Sequence, residues 1–95
     1  MSDIVKNSYK LLYKPKQSTL RNYFFGLYEK ENYELLRDDA DLLHQLRKVQ
    51  LDELSYVVAT KASIALDDEY CSRRFFYKLE KFGNPEYEPV LEELR

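Results

Sequence analysis

Only two glycines, three prolines, one cysteine and one histidine occur in the 95 residues, and tryptophan is absent. Each shortage excludes something. Cys71, the lone thiol, cannot form an intramolecular disulfide, and with His44 as its only soft companion it cannot furnish the ligand set of a zinc site. From Leu27 to Phe82 there is neither glycine nor proline. Such a stretch disfavours β-hairpins, whose turns lean on residues with positive φ, and favours helices joined by short polar links. No uninterrupted apolar run reaches the length of a signal peptide or a membrane span. Together with a thiol on an apolar stripe, this makes a cytoplasmic location the expectation. No phosphate-binding glycine loop, dinucleotide fingerprint or paired-acid motif is present, and Cys71 reads as inert core, so neither an enzymatic activity nor a cofactor is expected.

The formal charge of −2 hides a gradient. Residues 1–24 carry five bases against Asp3 alone, residues 25–60 carry eight acids against four bases, and residues 61–95 carry eight acids against six bases. An acidic balance argues against a dedicated nucleic-acid binder but leaves room for a local basic patch. Aromatic residues gather at both ends: seven of the fourteen lie between Tyr9 and Tyr33, six between Tyr70 and Tyr87, and Tyr56 stands alone between them. Since large rings gain most by packing together, the helix around Phe24 is expected to lie against the helix around Phe75.

A chain of this length makes one domain with one core. The spacing of its apolar residues predicts an all-α, compact bundle of four to five short helices, near 2–13, 19–32, 39–50, 52–66 and 68–82, with a short C-terminal helix after Pro89 inside an acidic tail, 84–95. Pro15 ends the first, whose Lys6, Lys10 and Lys14 share an edge. Ser18 or Thr19 suits the N-cap of the second, in which Gly26 implies close approach of another backbone. Asp38, Asp39 and Asp41 read as the capped start of the third; they lack the glycine turn of a calcium loop. Leu20, Phe24, Leu27, Leu43, Leu46, Leu54, Val58, Ala65, Phe75, Leu79 and Phe82 form the expected core.

The best-bounded helix follows Asp67. Asp67, Asp68 and Glu69 suit a helix N-terminus, and Lys78, Lys81 and Gly83 suit a C-terminus. Cys71, Phe75, Leu79 and Phe82 make its apolar front. Its back is less ordinary: Tyr70, Arg74, Tyr77 and Lys81, spaced i, i+4, i+7, i+11 and flanked by Arg73, form a stripe that is aromatic and basic together. Either the acidic tail folds back over that stripe or a partner covers it. Tyrosine and arginine are enriched at interface hot spots, so the expectation is a protein-protein interaction module, a regulator, inhibitor or assembly factor of the kind found in phages and mobile elements. Its partner is another protein or a second copy, engaging Phe25, Tyr70, Arg73, Arg74, Phe76, Tyr77 and Lys81. The alternative is a nucleic-acid-binding helical module, with 52–66 as a reading helix whose outward residues are Glu53, Ser55, Tyr56, Thr60, Lys61 and Ser63.

Overall fold

The computed structural model describes Lys6, residues 16–46 and residues 50–94, the side chain of Tyr87 excepted. Among the described residues there are five α-helices and no strand: α1 (Gln17–Glu29), α2 (Tyr33–Gln45), α3 (Glu53–Ala65), α4 (Glu69–Phe82) and, after a 3-10 turn at Pro85–Tyr87, the short α5 (Glu88–Leu94). This is the all-α bundle the spacing predicts. The helix expected over 2–13 lies, Lys6 apart, outside the described residues.

The chain is organised around α3 rather than α4. Ser55, Tyr56, Val57, Val58, Ala59, Thr60, Ala62 and Ser63 are all buried, so this helix is covered on nearly every side, which is where a helix without a polar face belongs. α1, α2 and α4 each pack against it. Its small residues permit close approach. The buried hydroxyls of Thr60 and Ser63 donate to the carbonyls of Tyr56 and Ala59 one turn earlier, at 2.7 and 2.9 Å, and so need no outside partner. Burial of Ser55, Tyr56, Thr60 and Ser63 removes the outward face that a reading helix would need, which corrects that part of the nucleic-acid alternative.

Two links in the glycine-free stretch turn without glycine. Glu31 (φ 57°) and Asp67 (φ 55°) take the left-handed conformation. In each, the next residue reaches back into the helix: Asn32 N–H donates to the Leu27 carbonyl and Asp68 N–H to the Ser63 carbonyl, both at 2.9 Å, the Schellman pattern. The second expected helix therefore stops at Glu29, and the third begins at Tyr33 rather than at the aspartates. Asp38, Asp39 and Asp41 lie inside α2, not at its cap. Ser18 and Thr19 lie in the first turn of α1, whose N-cap is Lys16 with no side-chain bond.

Asp52 and Asp68 are the working caps. One carboxylate oxygen of Asp52 accepts from Ser55 N–H at 2.9 Å while the other accepts from Arg21 of α1 at 3.0 Å. Asp68 repeats the arrangement, with Cys71 N–H at 3.0 Å and Arg37 of α2 at 3.2 Å. Gly83 ends α4 with φ 62°, as its position in the sequence predicts.

The core holds Leu20, Phe24, Leu27, Leu43, Val58, Phe75 and Leu79 as expected, together with Leu36, Ala40, Leu51, Tyr56, Val57, Ala59, Ala62 and Leu91. Leu46, Leu54 and Phe82 are only half-buried, and Ala65, in the last turn of α3, is exposed. The aromatic pairing also differs from expectation. Rings of α4 meet Tyr56 of α3 and His44 of α2, with Phe75 at 6.1 Å from Tyr56 and 6.0 Å from His44. Those of α1 pair locally, Tyr23 with Phe24 and Tyr28 with Tyr33. Since α1 and α4 both pack on α3, the central helix takes the place of direct packing between them.

Candidate functional site on the outer face of α4

Helical periodicity places Tyr70, Arg74, Tyr77 and Lys81 in one row along α4, opposite Phe75 and Leu79. Tyr70 is 70 % exposed and Tyr77 60 %. Glu69, Tyr70, Arg73, Arg74 and Tyr77 line a shallow depression of about 440 Å³. The row is held by its own cations: the Arg74 guanidinium lies 5.1 Å from the centre of the Tyr70 ring and the Lys81 ammonium 4.7 Å from that of Tyr77. Such stacking fixes each ring while leaving its outer face in water.

The acidic tail does not cover this row among the described residues. α5 inserts Leu91 into the core, and Asn84 bonds Glu53 at 3.4 Å. Removal of 84–95 therefore destabilises the fold through lost packing and does not report on the stripe.

Not every expected site residue belongs to the exposed face. Phe25 and Phe76 are half-buried and pack against the core, so neither needs a partner to cover it. Arg73 is exposed and pairs with Glu69 one turn back. Arg74 has a second task, since its guanidinium donates to Asp41 of α2 at 2.6 Å with both side chains about a quarter exposed. It ties two helices together, and Arg74→Ala is for that reason a stability variant as well as a surface variant.

Beside the tyrosine row lies a cleft of about 790 Å³, lined by His44, Gln45, Leu46, Gln50, Tyr56, Arg74, Lys78 and Lys81. Arg74 borders both this cleft and the shallow depression. His44 Nδ1 and the Tyr56 hydroxyl share a hydrogen bond of 2.7 Å. Burial, and then the neighbouring charge of Arg74 and Lys78, hold the imidazole below its ordinary pKa against the opposing pull of Asp41. Burial likewise pushes the Tyr56 phenol up to about 12. The His44 ring is thus a neutral wall in a positive field. Lys78 was legible as a last-turn cation four residues after Arg74. His44, Tyr56 and Gln50 join it only through tertiary packing, which no local spacing announces.

Cys71 is buried against the core, and burial, with Asp68 beside it, pushes its thiol up to about 11. That disfavours the thiolate a nucleophile requires. Among the described residues no three His, Cys, Asp or Glu side chains converge as metal ligands would, and no helix is long and apolar enough to cross a membrane.

No protein-family model, no curated protein and no solved structure matches the chain, so the functional reading rests on the residues of this face alone.

Proposed function

We propose that the chain is a non-enzymatic, cytoplasmic protein-interaction module, a regulator or assembly factor, whose partner protein docks on the outer face of α4. The observation that carries this reading is the row of Tyr70 and Tyr77, both largely exposed and each stacked on a cation, beside a shallow depression. Exposed tyrosine is costly to leave in water and productive when desolvated, because a rigid ring buries a large area at little entropic loss. The raised pKa of Cys71 argues against a thiolate nucleophile at that position.

Tyr77→Ala should weaken the association by about 1 to 3 kcal/mol while changing stability by no more than about 0.5 kcal/mol. The test is isotope-labelled affinity capture from the host with the parent chain, Tyr77→Ala and, as control, Asn22→Ala on the exposed side of α1. Sedimentation velocity of the same three proteins covers the case in which the partner is a second copy. A protein, or a dimer, that is kept by the parent and Asn22→Ala but lost by Tyr77→Ala supports the reading. Equal retention by all three contradicts it.

Nucleic acid remains the second reading on one observation, the cluster of Arg74, Lys78 and Lys81 at the cleft. Phosphate binding would weaken steeply between low and physiological salt, whereas an aromatic protein interface changes less.

A further inference from the structure

We propose that the cleft between α2 and α4 receives a short acidic stretch of the partner protein, whose carboxylates meet Arg74, Lys78 and Lys81 while an adjoining apolar side chain lies against Tyr70 and Tyr77. This rests on the reading of α4 as a docking face and adds to it the chemistry of what docks.

Charge complementarity carries the argument. Neither Lys78 nor Lys81 pairs with a carboxylate among the described residues. Each rests instead over an aromatic ring, Phe82 at 5.7 Å and Tyr77 at 4.7 Å. All four described arginines have an acidic partner, Arg21 with Asp52, Arg37 with Asp38 and Asp68, Arg73 with Glu69 and Arg74 with Asp41, which leaves the two lysines as the free charges of the cleft. Lys16, Lys30 and Lys61 also lack an ion pair among the described residues but stand on other elements, whereas Lys78 and Lys81 stand together with Arg74 around one cleft. Burial holds the His44 pKa below its ordinary value, so the ring adds no charge of its own there at neutral pH.

Length sets the ligand's size. Arg74 to Lys81 spans seven residues of helix, about 10 Å at 1.5 Å per residue. An extended peptide rises about 3.3 Å per residue with alternate side chains on one face, so about three residues, acidic at alternate positions, match the row. A longer uniform polyanion fits worse, because Glu69 precedes the row and Glu80 interrupts it on α4, and Asp41 of α2 already engages Arg74 at one end. This favours a peptide over a nucleic acid. Continuity through Arg74, which borders both cleft and depression, lets one segment occupy both.

The test is a two-dimensional NMR titration of the intact chain with the octapeptide acetyl-Ser-Glu-Ser-Glu-Ser-Leu-Phe-Ser-amide, its counterpart with Gln in place of both Glu, inorganic pyrophosphate, and a thymidine oligonucleotide. The Glu peptide should shift the amides around Arg74, Lys78 and Lys81 and raise the titration midpoint of His44, because an anion among Arg74, Lys78 and Lys81 offsets the field that now lowers it; the Gln peptide should do neither. Lys78→Gln with Lys81→Gln should weaken the peptide about tenfold, with Lys30→Gln on the exposed end of α1 unchanged and all variants checked by circular dichroism. Absence of these shifts, equal binding of the Gln peptide, equal binding by the double variant, or tighter binding of pyrophosphate or oligonucleotide would overturn the proposal. Loss of partner capture by Tyr77→Ala with no response to the Glu peptide would leave the docking face standing and remove only its acidic ligand; retained capture would remove the face itself.

Discussion

At the scale of single residues, the glycine inside α1 and the histidine behind the cleft make the sharpest statements. A Cβ built on Gly26 would meet nothing within 4 Å, so the close backbone approach expected of this glycine is absent. Glycine within a helix costs about 1 kcal/mol against alanine, and Gly26→Ala should raise stability by about that much in a urea titration. A loss instead would mean that the helix is packed more tightly there than the structure shows. His44 makes a pH-dependent contribution. Its folded pKa lies below the ordinary 6.5 through burial and then the charge of Arg74 and Lys78, opposed by Asp41, so the unfolded chain takes up its proton first as pH falls. Stability due to His44 is therefore complete above pH 6.5 and declines on acidification until the lowered folded pKa is reached. Denaturation of His44→Gln across pH 7 to 5 should show a flatter slope than the parent, and equal slopes would show that the imidazole is not held neutral.

At the scale of elements, the caps do two jobs at once. Asp68 receives the Cys71 N–H at the start of α4 and the Arg37 guanidinium from α2. The Cys71 hydrogen bond, with Arg37 reinforcing it against the cost of burial, holds its carboxyl below the ordinary 3.8. Its contribution is therefore full above that ordinary value and lost as pH falls through the lowered one. Asp68→Ala should cost about 1 to 2 kcal/mol at neutral pH, and its difference from the parent should shrink below about pH 4; a difference that persists undiminished in acid would assign the loss to something other than the carboxylate. These elements also show what a sequence can and cannot disclose. The Asp68 cap and the Gly83 stop were legible because capping is local chemistry. The turns at Glu31 and Asp67 were not, since an acidic residue in the left-handed conformation is held there by the Schellman hydrogen bonds and not by its own preference. The aspartates of α2 misled for a related reason. They resemble a cap by composition, but Asp39 accepts from Tyr23 and Asp41 from Arg74, and both partners come from other helices.

At the scale of the whole molecule, the protein places its least polar helix at the centre and its tyrosine row at the rim. The radius of gyration, 12.5 Å, is what a packed chain of this length has. Glycine-poor composition foretold the helical class, and periodicity foretold both the front and the back of α4. What stayed hidden was that α3 would be buried on nearly every side, because Thr60 and Ser63, polar as letters, satisfy their hydroxyls on their own backbone. The tyrosine row was legible in the sequence, whereas the cleft beside it required His44 and Tyr56 to arrive from two other helices.

The proposed docking on α4 is tested most directly by photo-crosslinking in the host, with benzoylphenylalanine placed singly at Tyr70, at Tyr77, and at the exposed controls Asn22 and Glu92. Adducts of one defined larger mass at Tyr70 and Tyr77, and none at Asn22 or Glu92, are the predicted result. Adducts at the control positions alone, or at all four alike, would place the partner elsewhere and contradict the account of α4 as the face this protein offers.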